Sequence, residues 1–97
     1  MSSRIGKFRL SRRDRMLAED CGYFDLVVNA IFDGKFVVRC ENLFHMDCLE
    51  YIAVDIKGNT FDEIAAGEEA PMYDCVVDAF TGEDGEVNRV SVSWSRL

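Results

Sequence analysis

The sequence predicts an α+β domain: an antiparallel sheet of about five strands in a meander, with one N-terminal helix packed on a face. Three observations predict it. An Asp33-Gly34 pair sits between two apolar, β-branched runs, FDLVVNAIF and KFVVRCEN. Later segments alternate apolar and polar residues with a period of two and are separated by turn residues. A serine-led stretch near the start, SRRDRMLAEDCGYF, carries apolar residues near helical spacing.

Residues 1–10 read as a basic N-terminal arm, flexible or extended, anchored only by Phe8 and Leu10, and residues 11–97 as a single domain. In the helical stretch Ser11 is placed to cap, Asp14 follows at the capping-box spacing, and Leu10, Leu17, Cys21 and Phe24 mark a face that Gly22 ends. Arg12 and Arg13 lie in the first turn, where the helix dipole favours acids. That mismatch marks Arg9, Arg12, Arg13 and Arg15 as candidate contacts for an anion.

The Asp33-Gly34 pair suits a two-residue type I′ turn, which needs φ > 0 at both central positions. The turn sets a register: Phe32 faces Lys35, Ile31 faces Phe36, Ala30 faces Val37 and Val27 faces Cys40. Alternation then puts Val27, Ile31, Phe36, Val38 and Cys40 on one face and Val28, Ala30, Val37 and Arg39 on the other. A third strand is expected over Leu49 to Asp55, followed by a turn at Gly58-Asn59. Phe61 to Ala70 reads as an acidic loop with room for one helical turn, from which Phe61 and Ile64 tuck into the core. Pro71 opens the next strand, where a missing N–H breaks no ladder bond, with Tyr73, Cys75, Val77 and Ala79 facing one way and Asp74, Val76, Asp78 and Phe80 the other. The acidic turn TGEDGE leads to a last strand whose Val90, Val92 and Trp94 face inward.

The 97 residues are 48% apolar and 11% aromatic, as in a globular domain with a modest core. No apolar run has the length of a membrane span, and nothing resembles a signal peptide, so a cytoplasmic protein is expected. The net charge of −7 is unevenly spread. Residues 1–15 hold six basic residues and one acid, a balance of +5, against five basic and seventeen acidic residues and a balance of −12 in the rest.

Catalytic motifs are missing. Cys40-x4-His45-x2-Cys48 has the residue types of a zinc site, with Cys21 or Cys75 as a fourth ligand, but lacks two close ligand pairs. Packed thiols and a loop histidine account for these residues more simply. A cysteine nucleophile needs a nearby base, and the single histidine falls in an expected turn. With so many carboxylates, a close pair is expected by chance and identifies no acid–base chemistry. The glycines are isolated, so there is no phosphate loop. No enzyme activity, cofactor or metal is expected.

The acidic surface remains. Thirteen acids lie between Glu41 and Glu86. Their blandest role is to keep the domain soluble. The sharper reading is a field of carboxylates that competes for arginine and lysine side chains in a nucleic-acid-binding groove. Asp62, Glu63, Glu68, Glu69, Asp74, Asp78, Glu83 and Asp84 are the candidate partner-binding acids. Phe32, Phe44 and Phe80 are the candidate exposed anchors, with Phe80 counted among the partner-binding residues, although core packing from the helix side would explain Phe80 equally well. The basic arm on an acidic body would bring DNA beside a repelling surface, which disfavours direct nucleic-acid binding. Pairing of the arm with its own acidic sheet, or with a partner protein, is electrostatically cheaper.

The segment from Leu43 to Asp78, FDEIAAGEEAPMYD above all, resembles small accessory proteins of phages and mobile elements, and the whole chain is similar in kind to anti-CRISPR proteins and related phage inhibitors. The resemblance implies a protein that binds a bacterial nucleic-acid-handling complex and blocks DNA binding or cleavage stoichiometrically, in the bacterial cytoplasm and as a monomer or homodimer. It carries over no residue roles. Two other functions fit the residues: a small structural or virion protein that assembles through an edge strand, and a nucleic-acid binder that uses its basic arm.

Overall fold

The structure, a computed structural model, describes residues 2–20, 28–58 and 60–97. It corrects the expected fold class. The chain is mainly β, with 59% of the described residues in strands, and among these residues six to seven strands form a mixed sheet curled into a half-barrel with one short helix. The elements are β1 (Ser2–Ser11), α1 (Arg12–Asp20), β2 (Ile31–Phe32), β3 (Lys35–Leu43), a 3-10 turn (Phe44–Met46), β4 (Cys48–Asp55), β5 (Glu63–Ala65), β6 (Met72–Thr81) and β7 (Val87–Arg96). The strand order is β2-β3-β4-β1-β6-β7, with β5 pairing β1 separately.

The stretch expected to be an arm is extended, but it is the central strand. SRIGKFRLS alternates as a buried-edge pattern must: Gly6, Phe8 and Leu10 are buried, while Ser3 and Arg9 are exposed. Its basic residues had masked that alternation. β1 runs antiparallel to β4, with Phe8 opposite Tyr51, and antiparallel to β5, with Arg4 opposite Glu63. It runs parallel to β6, with Phe8 opposite Tyr73, which is why the sheet is not a meander. Because β4 and β6 flank β1, the segment between them crosses it. Phe61 on that segment seats against Gly6, where a Cβ would lie 2.9 Å from the ring.

α1 begins as expected, with the Ser11 hydroxyl accepting the Asp14 N–H at 3.1 Å. The helix touches β1 and β6 and sends Ala18 and Leu17 to the core, so it plugs part of the curled sheet rather than forming a second layer over it. The residues expected to complete and end it, Cys21, Gly22 and Phe24, lie outside the described residues, as do Val27 of the hairpin and Asn59.

The hairpin turn is as read, with Asp33 at φ 48° and Gly34 at φ 77°, Phe32 opposite Lys35 and Ile31 opposite Phe36. The faces differ from the simple alternation. A register shift between Val37 and Arg39 leaves Val38 unpaired, so Val37 and Cys40 face the same side, opposite Ala53 and Tyr51. Phe32, expected to be an exposed anchor, is fully buried.

The core is aromatic. Phe8 stacks on Tyr51 at 5.2 Å between ring centroids and on Phe32 at 5.9 Å, and Trp94 meets Phe8 edge-on at 4.9 Å. Phe61 lies 4.5 Å from Tyr73 and 5.4 Å from Trp94. The loop expected over Phe61 to Ala70 contains β5 instead of a helical turn. Its Phe61 is buried and its Ile64 half-buried. On β6, Tyr73, Cys75 and Val77 are buried as expected, while Ala79 is exposed near the end of the strand.

Candidate protein-binding face

All nine predicted partner-binding residues, Asp62, Glu63, Glu68, Glu69, Asp74, Asp78, Phe80, Glu83 and Asp84, are exposed, but they divide into two groups. Those near β1 are engaged within the fold, except Glu68, whose side chain has no partner among the described residues. Asp62 accepts a hydrogen bond from Arg96 at 2.7 Å, Glu63 lies 4.0 Å from Arg4, and Glu69 lies 3.6 Å from Lys7. The acids on the β6–β7 hairpin, Asp74, Asp78, Glu83 and Asp84, are not tied to any cation among the described residues. Pleating puts Asp74, Val76, Asp78 and Phe80 in one outward row on β6. Across the ladder, β7 places Ser95, Ser93, Ser91 and Arg89 opposite them. Arg89 is the single cation of this face, and its guanidinium sits over the Phe80 ring, 4.5 Å from the centroid. Glu83 and Asp84 extend the row into the turn, where Asp84 accepts the Glu86 N–H at 3.0 Å and fixes the bend.

This face is mixed in character. Val76 is 41% exposed and Phe80 40% exposed, so each offers apolar area between carboxylates. Phe44, the other expected anchor, is the most exposed aromatic among the described residues at 79%, but it stands apart in the 3-10 turn, with Arg12 5.5 Å from its centroid.

The candidate anion contacts are mostly engaged with the protein's own acids. Arg9 pairs with Glu50 at 2.8 Å, Arg12 with Asp47 at 2.9 Å, and Arg15 with Glu19 at 2.9 Å one helical turn on. Arg13 is exposed and has no partner among the described residues. The N-terminal cations therefore neutralise part of the sheet locally, and Asp74, Asp78, Glu83 and Asp84 on β6 and its turn are left without a cation among the described residues.

A second cluster, at the β2–β3 turn, was not foreseen. Lys35 is only 3% exposed. Its Nζ donates to the Asp33 carbonyl at 2.9 Å and the Thr60 hydroxyl at 3.1 Å, and lies 4.5 Å from the Trp94 ring centroid. Opposite it, the Asp55 carboxylate accepts N–H groups from Gly58 at 3.0 Å, Thr60 at 2.8 Å and Phe61 at 3.0 Å. Burial alone would raise the Asp55 pKa; the Phe61 and Gly58 N–H groups, the Lys35 charge and the Thr60 N–H outweigh it and hold the carboxyl below its ordinary value. The signal for Lys35 was present in the hairpin register, since it pairs with Phe32 and shares parity with Val37. The two charged side chains at its centre, Lys35 and Asp55, are buried.

Cys40, His45, Cys48 and Cys75 do not converge, and Cys21 lies outside the described residues. Cys40 faces the core beside Tyr51, His45 is exposed in the 3-10 turn, and Cys48 is buried at the start of β4. Among the described residues no three His, Cys, Asp or Glu side chains are grouped to hold a metal. Burial, followed by the nearby Asp33 charge, pushes the Cys75 thiol up to about 12. No pocket opens among the described residues, and no helix among them is long and apolar enough to cross a membrane. Comparison with family models, with curated proteins and with solved structures finds no match.

Proposed function

We propose that this chain is a small acidic protein-interaction module that occupies a basic nucleic-acid-binding groove on a partner protein. By filling that groove it would block nucleic-acid binding or cleavage stoichiometrically, in the manner of anti-CRISPR and related phage inhibitors, in the bacterial cytoplasm where such partners work. The observation that carries the reading is the outward row of β6. Asp74 and Asp78 have no cation among the described residues and flank exposed Val76, next to Phe80, on a strand paired with β1 and with β7. Unpaired carboxylates at fixed spacing can take the arginine and lysine side chains that otherwise hold phosphates, and the apolar side chains between them add burial.

Arm-mediated nucleic-acid binding has less support, because Arg9, Arg12 and Arg15 are already paired with acids. Assembly of copies through a sheet edge is a second reading, favoured by the length of β7 at the end of the sheet, and light scattering separates it from a monomer or dimer.

The test is capture from a bacterial lysate on immobilised protein, with the D74K/D78K/E83K/D84K variant in parallel. The expected result is retention of nucleic-acid-binding proteins that excess double-stranded DNA or raised salt releases, and that the variant does not retain. If the variant captured the same proteins, or DNA failed to compete, the reading would be wrong.

A further inference from the structure

β7 ends the sheet, and among the described residues no strand pairs with its outer side. The ladder shows which of its backbone groups are free. The Leu97 N–H donates to the Met72 carbonyl at 3.2 Å, on the β6 side. In an antiparallel pair alternate residues exchange both bonds with the neighbour, so Ser95, Ser93 and Ser91 also turn their N–H and C=O toward β6. Val90, Val92, Trp94 and Arg96 then direct theirs away from the sheet. These form a row of donors and acceptors four residues deep on a ten-residue strand.

We propose that this edge takes up an extended basic segment of the partner protein as an additional antiparallel or parallel strand. Its lysine or arginine side chains would cross the serine row to Asp78 and Asp74. The inference rests on the acidic-module reading and names how the partner is held. Three observations favour a basic segment. On the outward face the added strand would lie beside Ser91, Ser93 and Ser95, which offer little bulk. Asp78 and Asp74 stand directly behind Ser91 and Ser95, about two strand spacings (~10 Å) from the added strand. The two carboxylates are four residues apart, so basic residues at every second position of a peptide with the same rise come into register with both. Arg89, the one cation of the face, is held over Phe80 at the far end of the row. A second copy of β7 would bring serines and only one cation, Arg89, which its own Phe80 ring already holds, and so could satisfy at most one of the two aspartates.

The probe is a ten-residue peptide of alternating Lys and Val, titrated onto the full chain by fluorescence anisotropy. Two further peptides carry N-methyl groups on all Lys or on all Val amides, so that one edge or the other loses its donors. We expect the parent peptide to bind, one methylated form to bind at least about tenfold more weakly through the loss of two or more edge bonds, and the other to bind like the parent. The Val92→Pro variant removes one outward N–H and no ladder bond, and should weaken binding in the same way. The methylated peptides keep the test valid should that variant fail to fold. Equal binding of all three peptides overturns edge addition, as does self-association of the chain that Val92→Pro abolishes. Either result leaves the acidic-module reading standing if D74K/D78K still abolishes lysate capture. If D74K/D78K leaves lysate capture unchanged, both fall.

Discussion

The Trp94 indole N–H donates to the Asp33 carboxylate at 2.7 Å, joining the last strand to the first hairpin turn across 61 residues of sequence. This contact links the two ends of the strand order, β2 and β7, over the open side of the half-barrel. Asp33 also holds φ 48°, a conformation that Asn tolerates and Ala resists. Asp33→Ala should therefore lower stability by about 1–3 kcal/mol, and Asp33→Asn by under about 1 kcal/mol, because Asn keeps both the turn and an acceptor. Urea denaturation followed by the fluorescence of Trp94, the single tryptophan, measures both. Equal losses for the two variants would mean that the contact does not hold the seam.

Asp55 gives the fold a defined acid sensitivity. Its folded pKa lies below the ordinary value of 3.8, so the stability it supplies is complete above that value and is lost as pH falls through the lower folded value. Asp55→Asn should be destabilised by about 1–3 kcal/mol at pH 7, since an amide accepts the three backbone donors less well. The gap between the wild type and this variant should stay constant above pH 5 and narrow below pH 4. A gap that widened toward acid would contradict the assignment.

Tyr51 is fully buried, and its hydroxyl lies close to Arg15 and Cys40 but makes no hydrogen bond of good geometry among the described residues. Burial, reinforced by the adjacent Cys40, raises its pKa well above the ordinary phenol value. Removing an unsatisfied buried hydroxyl relieves a desolvation penalty, so Tyr51→Phe should be neutral or stabilising by up to about 1 kcal/mol. A loss above about 1 kcal/mol would reveal a partner for the hydroxyl. Thermal melts of the pair decide it.

Gly6 is required by contact rather than by backbone conformation. An alanine there would place its Cβ 2.9 Å from three atoms of the Phe61 ring. Gly6→Ala should lower stability by about 1–3 kcal/mol through overpacking, and a smaller ring partner, as in Gly6→Ala/Phe61→Leu, should recover part of that loss. Additive losses in the double mutant would place the strain elsewhere.

Much of the local structure follows from the amino-acid sequence by itself. Turn chemistry at Asp33-Gly34, the Ser11 cap, the inward parity of Tyr73, Cys75 and Val77, and the outward row Asp74, Val76, Asp78 and Phe80 all depend on residues close in sequence, where propensity and pleat periodicity act directly. Only the tertiary structure decided which strands are neighbours. The pairing of Phe8 with both Tyr51 and Tyr73 spans the chain and rests on burial of an aromatic cluster, for which no local pattern codes. It turned an apparent basic arm into the central strand and a meander into a mixed, curled sheet. It also sorted the acids. Composition marked them as equivalent, but β1 brought its cations against Glu63, Glu69 and Glu50 and left Asp74 and Asp78 without one, because ion pairing depends on distances that only the folded sheet sets.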